Sequence, residues 1–468
     1  MIDVMFFSYR STDAWWQYLA EKLDFTTSTC VVSDMRGDGT INIVDDFYTH
    51  IRNKDCANFA VQHLSAETCD VIIRRCRVLR NLKKTTALSM IGAMWLTLDH
   101  VIAEKKPRLA MSFAMDRYVL DVLERVLKSH GIQFLEMTAS IIPDQVMFMS
   151  RGQLIPVRDP VAEDIAQARK QIVNDSFTPS YVNQTKQYNR RQYWRTFVTY
   201  KLRGLSYQLT RHLKRDKLNL HYLDALNHLD HKPRLRDCTV LNYFDHDWET
   251  QLKATPRNKR VFIGLQLLPE ASLDYWINDV SLLDTEQAIL DICHVLGEAG
   301  FTLFVKDHPL QFGFRKRALI QSLAIIPAVV LVPYSIPATQ LLHECDITVT
   351  FTGTIGFQSA VAGACSIVCG AYYSDEMNFI HFRNPSEIAA LPEKIAEFQK
   401  NKTQGITYES IDGLLANILA ASAPGDLFSF KKFDKTQPQH IKRTETLVKS
   451  LNHYLPQFLA KKQQPMCL

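Results

Sequence analysis

Three short stretches set ionisable, hydroxylic and small residues at the ends of apolar runs. In FVKDHPLQFG (304–313), a run that reads as a buried strand stops at Lys306, Asp307 and His308, and Pro309 blocks its continuation. A histidine there offers a directed N–H to a phosphate, and the neighbouring lysine offers a point charge. In TFTGTIGFQSAVAGA (350–364), hydroxyls at Thr350, Thr352 and Thr354 surround Gly353, and Gly356 opens a helix. Small residues let a ligand approach the backbone, and the amides of a helix start attract an anion. The spacing matches neither a Walker A loop nor G-x-G-x-x-G. In LQLLPEAS (265–272), Glu270 leaves an apolar run directly behind Pro269, in place to act as general base or to accept from a sugar hydroxyl. Each stretch also has a plain reading: a loop histidine, a tight strand–helix turn, and a carboxylate favoured at a helix start.

The elements around these stretches decide between the readings. Strand patterns at 2–8, 28–34, 108–114 and 132–137 alternate with helical patterns at 14–23, 85–106 and 116–131. The alternation resumes with strands at 260–267, 301–307, 328–333, 346–352 and 366–370 and helices at 284–300, 337–345 and 356–364. Such alternation predicts parallel sheets covered by helices on both faces. The expected organisation is a Rossmann-like N-terminal domain over 1–160, a helical basic insertion over 161–255, a second Rossmann-like domain over 256–385, and helices over 386–468 that pack back on the first domain. All three stretches then end parallel strands of one domain, where α/β sheets bind ligands, in a cleft between two domains.

Composition narrows the class further. A chain of 468 residues with 46% hydrophobic and 22% charged residues is large enough for two cores and unlike a disordered polymer. Ten cysteines without a Cys-x-x-Cys pair fit reduced thiols, and no apolar stretch looks long enough to span a bilayer, so a cytoplasmic location is expected. Between Lys186 and Lys217, ten Lys or Arg face one Asp, so this segment alone exceeds the net charge of +5 of the chain. Aromatics interleave with the cations there. A surface helix with a solvated face, a patch for anionic headgroups and a cradle for an anionic acceptor or nucleic acid all fit this composition.

Taken in order, LQLLPEAS, FVKDHP, TFTGTIGFQSAVAGA and CGAYY (369–373) resemble the bacterial capsule polysaccharide biosynthesis proteins, over roughly residues 255–390. The resemblance implies a twin-Rossmann glycosyltransferase of the GT-B type that uses a CMP-activated keto-sugar of the Kdo, pseudaminic, legionaminic or sialic type. It places His308, Thr352, Thr354 and the amides around Gly353 on the donor phosphate and gives Glu270 a catalytic or donor-orienting role, while Lys306 and Gly356 join the donor candidates by their own position. The family commonly has Glu before the His-Pro, where this chain has Asp307, a third catalytic candidate with Glu270 and His308. A retaining reaction would need a second carboxylate as nucleophile, for which Asp307 and Asp116 are candidates.

Remaining candidates follow from position. Arg10 and Arg36 end the first two strands, and with Asp116 they are expected to bind the acceptor glycan. His343 and Glu344 precede the Thr-Gly-Thr turn, and Glu344 is expected on the donor. Asp245 and Asp247 in FDHDWE form a D-x-D match within a linker, and no metal site or cofactor is expected. The partners expected are a nucleotide-sugar and a glycan, with peripheral membrane contact through 186–217 and no nucleic acid. A UDP or GDP donor, or a non-catalytic glycan-binding component of a capsule assembly complex, are the competing readings.

Overall fold

The computed structural model describes residues 2–9, 12–37, 39–172, 188–219, 223, 232–373, 378–403, 411–427 and 433–463 of the chain. Its strands are β1 (Ile2–Ser8), β2 (Thr29–Ser33), β3 (Ile41–Asn42), β4 (Pro107–Phe113), β5 (Gln133–Ala139), β6 (Gln145–Ser150), β7 (Gln153–Leu154), β8 (Arg260–Gly264), β9 (Thr302–Lys306), β10 (Val329–Val332), β11 (Ile347–Thr350), β12 (Cys365–Val368), β13 (Phe379–His381) and β14 (Ser422–Pro424). They form two sheets, ordered β14-β6-β5-β4-β1-β2-β3, with β7 beside β6, and β10-β9-β8-β11-β12-β13. Counted within its own unit, the second sheet reads 3-2-1-4-5-6 and the parallel part of the first reads 3-2-1-4-5. The fold is therefore α/β with two Rossmann-like domains. Each order reverses between its first and fourth strand, which opens a crevice at β1/β4 and at β8/β11.

Period-two alternation fills both faces of each sheet. On β1, Val4 and Phe6 meet Trp16, Leu109 and Leu451, while Met5 and Phe7 turn to the core that holds Met90, Ile91 and Leu98. On the second sheet, Val261, Leu303 and Val349 face one core, and Phe262, Phe304 and Val332 face the other. Trp15, Trp16 and Met111 are fully buried, as their types and positions suggest.

Two expectations need correction. The helix Lys84–Lys105 is long and apolar enough to span a bilayer by length and hydropathy, yet 61% of that stretch is buried inside the first domain. It packs on the helices Cys56–Leu64, Val44–Asn53 and Tyr118–Ser129, and its composition is that of a core helix. The C-terminal segment is not wholly helical, because β14 adds antiparallel to β6. The helix Leu391–Thr403 stays on the second domain, whereas Pro438–Gln463 crosses back and buries Leu447, Leu451 and Leu455 against β1 and β4. The nine described cysteines are unpaired.

A buried arginine fixes the second domain against the first. Arg75, at the end of the helix Ala66–Arg75 and 7% exposed, donates to the carbonyls of Asp274 at 2.9 Å, Ile277 at 2.8 Å and Asn278 at 2.9 Å. Those carbonyls lie at and beyond the C-terminal end of the helix Ala271–Trp276, where cations and donors are favoured. Arg80 adds an ion pair to Asp274 at 3.0 Å. Arg75→Ala strands three carbonyls and is expected to cost about 3 kcal/mol. Urea unfolding of this variant within about 0.5 kcal/mol of the wild type would refute the assignment.

Candidate functional site

The crevice of the second sheet is built by the chain leaving β8, β9 and β11. After β8 the chain runs through Gln266 to a cis Leu268–Pro269 peptide and into the helix Ala271–Trp276, with Glu270 at its N-cap. The Gln266 amide donates to Glu270 Oε2 at 2.5 Å, and its Oε1 accepts from Thr350 Oγ1 at 3.3 Å. Gln266 thereby ties the exit of β8 to the end of β11. Burial raises the Glu270 pKa, opposed by the Gln266 hydrogen bond and by the charge of Arg77. Arg77 comes from the first domain, where it pairs with Asp116 at 3.5 Å and donates to the Asp116 carbonyl at 2.8 Å. Glu270 and Asp116 belong to the crevices of different sheets, and Arg77 acts on both. Arg75 and Arg80 from the same segment hold the helix that Glu270 begins, so the two strand-end regions adjoin there.

On the other side of β8, Asp307 is 2% exposed and its carboxylate is saturated. Oδ1 accepts from Arg315 Nη2 at 2.6 Å, Arg315 Nε at 3.0 Å and the His308 amide at 2.8 Å, and Oδ2 accepts from the Tyr334 hydroxyl. Arg315 also donates to the Gln266 carbonyl at 2.6 Å, which couples β9 to β8. The His308 Nδ1 accepts from the Leu310 amide at 3.2 Å, so the neutral ring carries its proton on Nε2. Burial, with the Arg315 and Lys306 charges acting the same way and Asp307 against it, lowers the His308 pKa from 6.5 to about 4. Lys306 is 4% exposed, with its ammonium 3.3 Å from the Asp307 carbonyl, and burial brings its pKa down to about 8.

Beyond β11, Gly353 caps the helix Thr354–Val361, and its amide donates to Thr350 Oγ1 at 3.3 Å. A side chain here is excluded, since a Cβ would sit 2.6 Å from Thr350 Oγ1. Thr352 is buried, its hydroxyl 2.8 Å from Ser272 Oγ on the helix that Glu270 begins. The Tyr373 hydroxyl donates to the Gly353 carbonyl at 2.5 Å, and Gly356 leaves room for that hydroxyl beside it. Thr354 is partly exposed at the helix start.

Strands β9 and β11 flank β8, so at ordinary inter-strand spacing their ends lie about 10 Å apart. His308 and Thr354 thus border one crevice from two sides. Two cavities flank the helix Ala271–Trp276. One of about 310 Å3 is lined by Arg74, Arg80, Pro269, Asp274, Gln311 and Arg315. The other, of about 610 Å3, lies between the β6–β7 hairpin and the 369–372 loop, against Trp276, Tyr372 and Arg383.

The structure separates several expected residues from this site. Glu344 ends the helix Ala338–Glu344, which runs back along the sheet and delivers it to the N-terminal edge of β11, with Oε2 2.9 Å from Arg260 at the start of β8. Glu344 and its neighbour His343 are therefore on the wrong edge for a donor held at the strand C-termini. Asp307 lacks an open oxygen for nucleophilic attack, and Asp116, partly exposed, is held by Arg117 at 2.7 Å and by Arg77 at 3.5 Å. Lys306 is turned onto the backbone rather than into the crevice. Arg36 pairs with Asp45 at 2.8 Å and donates to the Lys214 carbonyl, while Arg10 lies outside the described residues. Asp245 and Asp247 form local contacts at the start of the helix Trp248–Ala254, and among the described residues no cluster of His, Cys, Asp or Glu suits a metal.

Sequence reasoning missed Gln266, Arg315, Tyr334 and Arg77. A glutamine in an otherwise apolar strand exit was the one local signal; the others are distant in sequence.

Comparison with known proteins adds little. No family model matches the sequence, and no curated protein matches it. Solved structures similar to the chain include the KpsC beta Kdo 2,7 transferase of Thermosulfurimonas dismutans, at 11% identity and TM-score 0.35, covering 96% of this chain and 98% of that one. The beta Kdo 2,4 transferase of the same KpsC has 12% identity and TM-score 0.32, covering 67% and 79%. The UDP-GlcNAc 2-epimerase of Neisseria meningitidis bound to UDP-GlcNAc has 11% identity and TM-score 0.29, covering 89% and 98%. Likenesses of this size carry no assignment of activity.

The His308 environment generates a pH prediction. The folded ring stays neutral down to about pH 4, whereas the unfolded chain takes up the proton near pH 6.5. The unfolded state then binds more protons in that window, so stability is present above 6.5 and falls as pH drops towards 4. Between about pH 7 and about pH 5, the wild type is expected to lose on the order of 1 kcal/mol more than His308→Asn. Equal losses in denaturant titrations of the two proteins would show that the ring titrates freely.

Proposed function

We propose that the protein is a glycosyltransferase that moves an acidic keto-sugar from a CMP donor to a surface polysaccharide acceptor, working on the cytoplasmic side of the membrane. The observation that carries this reading is the adjacency of the two strand-end regions at Arg77, with a carboxylate of raised pKa at the junction. An enzyme joining a nucleotide-activated sugar to a separate acceptor needs one crevice for each. The order of motifs over 255–390 supports the CMP-keto-sugar class.

In this mechanism, the donor phosphate sits over the first turn of the helix Thr354–Val361, within reach of the Thr354 hydroxyl and bordered by the His308 Nε2–H. The cavity beside Trp276 and Tyr372, at about 610 Å3, is lined by none of Glu270, His308, Thr352 and Thr354, so this reading does not rest on it. Thr352 and Gly353 shape the turn. The acceptor hydroxyl attacks the anomeric carbon as the bond from that carbon to the CMP oxygen breaks. The bonding pair leaves with CMP, and the acceptor proton passes to Glu270. A raised Glu270 pKa strengthens it as a base, provided that the pH lies above that value. Asp307 acts as a positioning residue that holds Arg315 and the His308 backbone.

CMP release from a panel of CMP-keto-sugars tests the reading. One member is expected to be turned over with acceptor, with Glu270→Gln lowering kcat by about 100-fold or more and His308→Ala abolishing transfer without loss of fold. CMP should raise the melting temperature more than UDP or GDP. Near-normal turnover in His308→Ala would remove the site assignment, and stronger stabilisation by UDP or GDP would remove the donor assignment.

A further inference from the structure

The helix Arg190–Leu213 is a 24-residue element of the insertion. One side is fastened to the second domain beside the His308 loop. Tyr193 is buried and packs edge-on to Phe312 with ring centres 6.2 Å apart, and Tyr200 packs edge-on to Phe314 with ring centres 5.7 Å apart. Its end is fastened to the first domain, where the Lys214 carbonyl accepts from Arg36 and Tyr48 donates to Asp216 at 2.8 Å. The helix therefore bridges both halves with a fixed orientation.

Its other side carries Trp194, Val198, Leu202, Leu205, Leu209 and Leu213, each between 45% and 74% exposed. At about 100° per residue, spacings of three and four place all six within one stripe of roughly 100°. Six of the chain's ten large exposed hydrophobic side chains among the described residues fall on this one helix, so the stripe is a patch rather than scatter. Arg190 and Lys201 border it on one flank, Arg195 lies at the other edge, and Arg191 falls in line with it one turn before Trp194, all exposed. Between Arg190 and Arg215 there is no acidic residue, and Asp216 just beyond is buried on Tyr48 and Asn219.

We propose that this helix docks the protein on an anionic membrane surface, with the stripe between the acyl chains and the flanking cations among the headgroups. An apolar face bordered by uncompensated cations suits a lipid interface, where burial and headgroup attraction act together. A second copy of this helix would bring the same cationic borders against themselves, since no acidic residue lies between Arg190 and Arg215. The proposal is independent of the identity of the sugar donor.

Co-sedimentation of the whole chain with vesicles of equal parts phosphatidylglycerol and phosphatidylcholine, and with phosphatidylcholine alone, tests it. The wild type is expected to bind the anionic vesicles, to bind the neutral ones far less, and to be released by high salt. The triple variant Leu202→Glu, Leu205→Glu, Leu209→Glu should partition at least about tenfold more weakly, with an unchanged melting temperature because these side chains contact solvent. Leu205→Glu alone serves if the triple variant melts early. A wild type that stays in the supernatant, or variants that bind as well as it does, would overturn the proposal. So would a dimeric wild type that becomes monomeric in the triple variant, which would give the stripe to a second copy, or tighter binding to duplex DNA than to the anionic vesicles.

Discussion

The buried carboxylate of Asp307 is the constraint around which the second crevice is organised. It accepts from Arg315, Tyr334 and the His308 amide, and Arg315 continues to the Gln266 carbonyl. Three strand exits are thus referred to one charge pair whose side chains are 4% and 0% exposed. Removing either member of such a pair leaves the other buried and uncompensated, at about 3–5 kcal/mol. Its strength lies in how many neighbours share it. With the carboxylate saturated, the histidine ring is held by its own Nδ1 contact to Leu310, and the remaining N–H direction is fixed.

A second layer of arginines relates the two domains. Arg75 and Arg80 hold the end of the helix that begins at Glu270, while Arg77, between them in sequence, faces Asp116 and acts on Glu270. The apolar core that joins Met147 and Met149 to Phe357, Tyr373 and Leu415 closes the other side of the cleft. The cleft is therefore set by contacts on both of its walls. The positive charge of Arg77 attracts both Asp116 of the first domain and Glu270 of the second.

The insertion completes this arrangement, because its helix touches the His308 loop at one end and the exits of the first sheet at the other. Its two apolar faces explain why the sequence left several readings open. Tyr193, Phe197 and Tyr200 turn to the protein and the leucine stripe turns outward, so hydrophobicity lies on opposite sides and no single amphipathic face stands out.

Much was legible in the residues alone. Period-two and helical patterns located β1, β4, β8, β9 and β11, because parallel strands buried on both faces read as continuous apolar runs. Glu270, His308 and Thr354 were legible as strand-exit residues because a charged or hydroxylic residue just beyond such a run leaves the sheet at its C-terminal edge. What the sequence could not settle was partnership: Glu344 looked equivalent to these residues until the helix carried it to the opposite edge, onto Arg260. Asp307 looked reactive until Arg315 and Tyr334 closed around it. Local order follows from nearest-neighbour sterics and burial pattern, whereas the reactivity of a carboxylate depends on charges brought to it from distant parts of the chain, and those are placed only by the packed fold.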